Sequence, residues 1–275
     1  MLIVVPALTG VLGAAIGSFL NVVIFRVPAG ISVVAPPSAC GSCAAPVRAY
    51  DNIPVLSWLV LRGRCRDCAA SFSVRYPLVE LGTALAFAGL AVLHLPGILE
   101  SPSSAAAISA VLVFVAHLYF AAISIALAAI DLDTHRLPDA LVLPAYAVGA
   151  VLLTAAAAVG ADLESAARAA AGAGMLFTLY LGLALISPRG MGMGDVKLAG
   201  VVGLFLGFSG WASLAVGTLA GFVLGGVVGV ALIAAQRAGR NTGIPFGPWM
   251  LAGAWVGILL GEPIARGYLA LVGLM

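Results

Sequence analysis

The chain has 275 residues, of which 63% are hydrophobic and 9% charged, and its formal net charge at pH 7 is +2. Soluble domains carry roughly 25% charged residues, so this composition excludes an ordinary soluble protein. The few charges are gathered in short segments between long runs of Ala, Leu, Gly and Val. Because lipid cannot satisfy open backbone groups, we predict an all-α polytopic membrane protein.

The apolar runs predict about eight transmembrane helices. The first run carries no basic residue ahead of it and is long enough to span, so residues 1–25 are expected to be a retained helix. Residues 26–76 then form a small cytoplasmic domain, and residues 77–275 form a multi-helix membrane domain. We place the spans at residues 2–25, 77–95, 107–130, 140–160, 168–187, 197–211, 213–235 and 248–261.

The basic residues fall almost entirely on one side of this arrangement. Every Lys and Arg except Arg168 and Arg266 lies in one of four alternate segments or at their edge. Cytoplasmic loops carry such an excess of basic residues, so these segments are expected to face the cytoplasm and both termini to face out. The four segments are residues 26–76, 131–139, 188–196 and 236–247.

All the cysteines lie in residues 26–76, as the two short motifs CGSC and CRDC. Two CxxC pairs predict a four-thiolate zinc site, whose binding energy would help this small domain to fold. Four protein ligands leave no open position for water, so the zinc is expected to be structural. Two disulfides or four ordinary thiols are the alternatives, and cytoplasmic placement argues against the disulfides. The predicted ligands are Cys40, Cys43, Cys65 and Cys68.

Two aspartates stand where apolar runs meet the cytoplasmic side. Asp131 directly follows the third predicted span, and Asp139 is placed to cap the next helix. Asp195 closes the motif GMGD just before the sixth span. Gly192 and Gly194 in that motif allow a tight turn and the close approach of another chain.

Carboxylates at membrane depth cost roughly 3 kcal/mol or more, so they are usually functional. A pair that shares one proton can hydrolyse an amide, because one carboxylate activates water while the other protonates the carbonyl oxygen. Structural interpretations stay open at this point: Asp131 could pair with Arg136, and Asp195 could cap a helix or pair with Lys197. Spacing alone does not bring the two loops together.

Five motifs, in order along the chain, resemble those of the bacterial type IV prepilin peptidases, a family of GxGD-type intramembrane aspartic proteases. The order and the matching topology make the resemblance specific, although GxGD alone is weak. The motifs are GSFLNVVIFRVP (17–28), YDNIPVLSWLVLRGRCRDC (50–68) with RYPLVELGTALAF (75–87), DLDTHRLPD (131–139), GMGD (192–195) and IPFGP (244–248).

The resemblance implies that Asp131 and Asp195 are the two catalytic aspartates. Glu80, a carboxylate inside the second span, is assigned either a supporting role near the site or structural pairing with Arg75 or another arginine. The residues given supporting roles are Gly192, Gly194, Lys197 and Glu80.

The resemblance also implies removal of a short basic leader from prepilins or type II secretion pseudopilins at the cytoplasmic face of the bacterial inner membrane. Many family members then methylate the new amino terminus with S-adenosylmethionine. The chain shows no Gly-rich methyl-donor fingerprint, so the methyltransferase activity depends on the resemblance alone. The expected partners are prepilin or pseudopilin substrates, the lipid bilayer and the pilus or type II secretion machinery, with no nucleic acid.

Two alternatives from other functional classes remain. A transporter could use intramembrane aspartates to bind ions or relay protons, but its ionisable groups usually lie near mid-membrane within internal repeats. A scaffold could dock cytoplasmic partners through the zinc domain, and it would tolerate loss of both aspartates. Carboxylates at one interface and the lack of an evident repeat favour the peptidase.

Three other polar residues within the spans are predicted to be structural. Asn21 is expected to hydrogen-bond between helices. His94 and His117 are expected to stand alone on apolar helices and to be structural or interfacial.

Overall fold

The computed structural model describes residues 2–187, 190–235 and 245–273. These ranges contain nine α-helices and one short 3-10 helix, Ala49–Asp51. The predicted cytoplasmic residues Arg189, Arg237 and Arg240 lie outside the described residues. The helices are α1 (Val4–Arg26), α2 (Leu56–Val60), α3 (Arg75–Leu99), α4 (Ser104–Thr134), α5 (Asp139–Val159), α6 (Leu163–Ile186), α7 (Met193–Ser209), α8 (Trp211–Ala234) and α9 (Gly247–Leu271).

Seven of the described helices are long and apolar enough to cross a membrane, and each corresponds to a predicted span. The prediction of an all-α polytopic membrane protein is therefore confirmed. The exception is α7, which has 17 residues and is not among the seven. Its residues from 198 to 207 are all buried inside the protein, so protein rather than lipid covers this helix.

The chain divides into two compact units, the first formed by Met1–Ser103 and His117–Ala126. Within it, α1 packs along α3. A Cβ at Gly17 would lie 2.7 Å from Cα of Glu80, so only glycine permits this approach. Nδ2 of Asn21 donates to the carbonyl of Tyr76 at 3.1 Å, and the predicted interhelical hydrogen bond is confirmed.

The two histidines of the first unit are paired rather than isolated. Nδ1 of His117 in α4 lies 3.0 Å from Nε2 of His94 in α3, and the ring centroids are 5.0 Å apart. The prediction that each stands alone is therefore wrong. The pair joins two apolar helices through one polar contact.

Ion pairs connect the two halves of the cysteine-containing segment. The guanidinium of Arg66 binds the carboxylate of Asp51 through three contacts of 2.6–3.1 Å and lies over the ring of Tyr50. Arg48 binds Asp67 at 2.8 Å, and in this pair the basic residue lies before α2 and the acidic residue after it. These two ion pairs hold the segment before α2 against the cysteine turn that follows α2.

The second unit comprises Ser104–Ala116 and Leu127–Met275. In its described residues α7 packs against α5, α6, α8 and α9, which makes α7 the central helix. A Cβ at Gly172 of α6 would lie 2.5 Å from the carbonyl oxygen of Gly203 in α7. Glycine therefore lets the two backbones touch, and the tightly packed α7 holds its first turn in a fixed place.

Candidate active site and metal centre

Asp131 lies in the last turn of α4 and is 4% exposed. Its Oδ2 accepts a hydrogen bond of 3.0 Å from the backbone N–H of Gly247, the first residue of α9. The free N–H groups and positive dipole end of a helix favour a carboxylate there. A Cβ at Gly247 would lie 2.7 Å from the same oxygen, so the contact requires glycine.

Asp195 is the third residue of α7, and its Oδ2 accepts a hydrogen bond of 3.0 Å from the backbone N–H of Gly192. This bond is one half of a capping box, in which the side chain at the third helical position accepts a hydrogen bond from the backbone N–H of the residue before the helix. The capping interpretation of Asp195 is thus correct. The alternative pairing with Lys197 is wrong, because the Lys197 ammonium binds another carboxylate.

Leu137, in the loop between Asp131 and α5, lies beside the glycine that precedes Asp195. A Cβ at Gly194 would lie 3.0 Å from Cβ of Leu137, and one at Gly247 would lie 3.5 Å from its Cδ1. The glycine beside Asp195 and the glycine bound to Asp131 therefore contact the same side chain. The structure brings together the two loops that sequence spacing left apart.

Burial raises the pKa of Asp195 to about 6, the N–H of Gly192 opposes this shift, and the nearby charge of Asp131 adds to it. A carboxyl group with such a pKa can hold a proton close to neutral pH while its neighbour is ionised. A pair with one protonated and one ionised carboxyl group can supply both a general acid and a general base.

Lys197 ties the first turn of α7 to the start of α5. Its Nζ lies 2.8 Å from both carboxylate oxygens of Asp139, and its carbonyl oxygen accepts a hydrogen bond of 2.6 Å from the hydroxyl of Tyr146. The prediction that Asp139 caps α5 is wrong, because Pro138 occupies the cap position and makes no side-chain cap. Asp139 is instead the ion-pair partner of Lys197.

Sequence reasoning missed Tyr146 and an aromatic cluster in the same unit. Tyr146 lies two turns after Asp139 on α5, and this spacing could have indicated a shared face. Tyr180, which is 1% exposed, stacks on Phe222 at 5.4 Å and lies 5.9 Å from Phe246. These rings come from three segments, and no local pattern could have predicted their contact.

Glu80 belongs to the first unit and is 8% exposed. Its Oε2 accepts a hydrogen bond of 2.7 Å from the backbone N–H of Val55, just before α2. The expected role of Glu80 beside the catalytic aspartates stays a prediction. Its contact places it at the junction of α3 and the cysteine-containing segment.

The two CxxC motifs fold into equivalent turns. In each turn the N–H of the first cysteine bonds to the carbonyl five residues later, and its carbonyl accepts from the residue four positions on. A single β-bridge closes each turn, Ala39 with Pro46 and Arg64 with Ser71. Both turns therefore present their thiols in the same way.

The four sulfur atoms form one cluster, with all ligand atoms within 4.8 Å of one another. Sγ of Cys40 lies 3.8 Å from Sγ of Cys68, and Sγ of Cys43 lies 4.0 Å from Sγ of Cys65. Sulfurs about 2.3 Å from a tetrahedral zinc ion would lie about 3.8 Å apart. All four thiols are free, so the disulfide alternative is wrong, and the cluster can hold a metal ion.

The backbone around the first turn prepares Cys40 for metal binding. Hydrogen bonds from the N–H groups of Cys43 and Ser42 lower the pKa of the Cys40 thiol to about 6. The thiolate is the form that binds metal, so this environment favours the ligand state. Cys40 and Cys65 are buried, whereas Cys43 and Cys68 are exposed.

Comparison with known families agrees with this architecture along most of the chain. Residues 11–94 match the bacterial peptidase A24 N-terminal domain, and residues 118–230 match the type IV leader peptidase family. The second match contains both aspartates, whereas the first contains the cysteine cluster and Glu80. No solved structure is significantly similar to the chain.

Several curated relatives cover nearly the whole chain. The prepilin leader peptidase/N-methyltransferase of Aeromonas hydrophila is 36% identical, over 92% of this chain and 90% of the relative. Proteins of the same name from Pseudomonas putida and Pseudomonas aeruginosa are 34% and 33% identical, over 97% and 96% of this chain and 94% and 93% of each relative. The fold is that of a multi-pass helical membrane protein. The chain belongs to the type IV leader peptidase family.

Proposed function

We propose that this chain is a membrane aspartic endopeptidase that removes the basic leader from prepilins or pseudopilins, with Asp131 and Asp195 as its catalytic pair. The observation that carries the proposal is the meeting of the two aspartate loops around Leu137, with Asp195 shifted toward its protonated form. Family membership and the names of the relatives support the reaction.

The two carboxyl groups take different roles in the proposed reaction. Asp131, fixed by the N–H of Gly247, accepts a proton from water as that water attacks the scissile carbonyl carbon. Asp195 gives its proton to the carbonyl oxygen as the tetrahedral intermediate forms. The exposed glycine Gly192 and the half-buried Gly194 leave room for an extended substrate beside Asp195.

The proposed active site faces the cytoplasm of the bacterial inner membrane. The distribution of Lys and Arg supports this orientation, because every basic residue except Arg168 and Arg266 falls in the segments predicted to share a side with the aspartates, or at their edge. A substrate with a basic leader and an apolar helix would present its scissile bond at that interface. We propose pilus or type II secretion machinery as the downstream partner.

We further propose that the four-cysteine cluster binds one structural zinc ion. Two observations support this proposal. The four sulfurs lie within 4.8 Å of one another, with two of the pairs 3.8 and 4.0 Å apart, and the two turns that carry them are equivalent. The described segment around the cluster has only short helices and single β-bridges, so the metal would contribute much of its folding free energy.

A second activity, methylation of the new amino terminus, is proposed from the printed name of the relatives. S-adenosylmethionine supplies an electrophilic methyl group when it is bound. The transporter and scaffold alternatives are not favoured, because the family match and the relatives agree on a peptidase.

The proposal is tested by Asp131→Asn and Asp195→Asn in detergent-purified enzyme with a prepilin substrate. We expect each variant to lose leader cleavage while it keeps wild-type expression, membrane insertion and thermal stability. Glu262→Gln is the matched control, because this exposed carboxylate only pairs with Arg266 one turn away. Substantial turnover by either aspartate variant would contradict the assignment of the pair.

A further inference from the structure

A cavity of about 590 Å³ opens within the first unit. Its lining comes from α1, the two cysteine turns, α2 and the first turns of α3. Small-molecule sites have volumes of roughly 300–1,000 Å³, so this cavity is large enough for a ligand of nucleoside size.

Two buried polar side chains of the spanning helices line this cavity, Glu80 from α3 and Asn21 from α1, each 8% exposed. Glu80 uses Oε2 to accept from Val55, and Asn21 uses Nδ2 to donate to Tyr76. In the described part of the chain, Oε1 of Glu80 and Oδ1 of Asn21 accept no hydrogen bond. Two acceptor oxygens therefore line the cavity without protein partners, one of them on a carboxylate.

Among the acidic residues that line the cavity, only Glu80 lacks a counterion in the described part of the chain. Three acidic residues line the cavity. Asp51 binds Arg66 at 2.6 Å, and Asp67 binds Arg48 at 2.8 Å. Glu80 has no cationic partner among the described residues. A buried carboxylate is costly unless a cation or hydrogen-bond donors compensate it, so the part of the cavity around Glu80 favours a positively charged group. Arg26 and Arg64, which line the cavity without an acidic partner among the described residues, suit an anionic group of the same ligand.

Aromatic rings supply the apolar part of the lining. They attract a cation through their faces and can cover a planar ring of a ligand. Trp58 is held by a hydrogen bond of 3.4 Å from its Nε1 to the carbonyl of Phe72, and the edge of Phe72 meets Tyr76 at 6.5 Å. The four rings are Phe25, Trp58, Phe72 and Tyr76.

We propose that this cavity binds the sulfonium methyl donor, with the cationic group at Glu80 and Asn21 and the nucleoside between the aromatic rings. The inference rests on the proposed methyltransferase function and gives that function a location. Recognition by a carboxylate and aromatic rings needs no Gly-rich loop at a helix start, which accounts for the lack of such a fingerprint. The two acceptor oxygens suit a cationic group, and the aromatic rings suit the planar base of a nucleoside.

The test is calorimetric titration of the zinc-loaded, full-length enzyme with S-adenosylmethionine and with its neutral thioether product, S-adenosylhomocysteine. Glu80→Gln keeps an acceptor for Val55 but removes the charge, so we expect about a tenfold or greater loss of S-adenosylmethionine affinity. Affinity for the thioether should change by less than about threefold, because it lacks the sulfonium charge. Glu100→Gln, at the exposed end of the same helix, is the matched control.

Equal S-adenosylmethionine affinity in wild type and Glu80→Gln would overturn the inference. Zinc content and melting temperature report whether the variant is folded; should Glu80→Gln lose zinc, Asn21→Leu removes the second acceptor and should weaken binding several-fold. Ultraviolet cross-linking of labelled S-adenosylmethionine should mark peptides that contain Trp58 or Tyr76. Label confined to residues 127–273 would place the donor elsewhere and contradict the inference.

Leader cleavage by the same preparations separates this inference from the peptidase proposal. An enzyme that cleaves prepilin but binds no S-adenosylmethionine overturns the donor site and leaves the peptidase standing. Binding without cleavage overturns the peptidase and leaves the donor site standing. A short peptide with a free apolar amino terminus that displaces S-adenosylhomocysteine would show that the cavity takes the amine substrate instead.

Discussion

The backbone N–H of Gly247 donates a hydrogen bond to Oδ2 of Asp131 across 116 residues of sequence. The bond connects the last turn of α4 to the first residue of α9 and lies in the buried part of the second unit. It fixes one carboxylate oxygen and leaves the carboxylate plane little freedom to rotate. Asp131 is thus held by the backbone of a distant helix rather than by a neighbouring side chain.

We expect Gly247→Ala to lower the rate of leader cleavage by at least about tenfold, because a misplaced catalytic group loses its aligned geometry. The added Cβ would lie 2.7 Å from Oδ2 of Asp131, so the carboxylate must move. Gly226→Ala in α8 is the matched control, since a Cβ there has no atom within 4 Å. Single-turnover cleavage of a prepilin measures the effect, and wild-type rates in Gly247→Ala would contradict it.

The apolar runs predicted the spanning helices because a run of about 20 apolar residues has few other stable structures. The CxxC spacing likewise predicted the cysteine cluster, because each pair lies within one local turn. Gly247 was not predicted as a partner of Asp131, because that contact depends on helices far apart in sequence. The role of Asp139 was predicted wrongly for the same reason, since its partner Lys197 lies 58 residues further along the chain.

The Lys197–Asp139 ion pair is expected to position α7 rather than to stabilise the fold. Its side chains are 32% and 54% exposed, so its contribution to stability should be below about 1 kcal/mol. We expect Asp139→Asn and Lys197→Met each to slow cleavage several-fold, and the double variant to be no slower than either single one. Urea unfolding and cleavage rates are measured for the wild type, the two single variants and the double variant, which together form a double-mutant cycle. Additive losses in rate would show that the two residues act separately.

Removal of the metal should unfold the cysteine-containing segment before it affects the membrane helices. We expect one zinc ion per chain, and Cys40→Ser with Cys65→Ser should lose it, because the two buried ligands are removed together. Metal analysis and limited proteolysis of residues 26–76 measure the outcome. Ser42→Ala is the control, since only its backbone N–H contacts the cluster. Full zinc content in the double variant would contradict the ligand assignment.

The electrostatics of the aspartate pair give the direction of the pH dependence. The raised pKa of Asp195 comes first from burial and is increased by the charge of Asp131, while the N–H of Gly192 opposes it. Lys197, the nearest basic residue in sequence, is committed to Asp139. Burial and like charge therefore act together in favour of a proton held by the pair.

Cleavage should follow a bell-shaped pH profile whose alkaline side reflects the proton of Asp195. As the pH rises through about 6, that proton is lost, no acid remains for the carbonyl oxygen, and the rate should fall toward a tenfold loss per pH unit. At low pH both carboxyl groups are protonated, no base remains for water, and the rate should fall again. The same raised pKa makes acid favour the folded state, with this stability contribution lost as the pH rises from about 4 through 6, so protonation of Asp195 does not itself destabilise the fold on the acid side. The measurement is a single-turnover pH–rate profile in detergent, with melting temperature recorded at each pH. Activity that increases steadily into acid would contradict the shared proton and the assigned roles of Asp131 and Asp195.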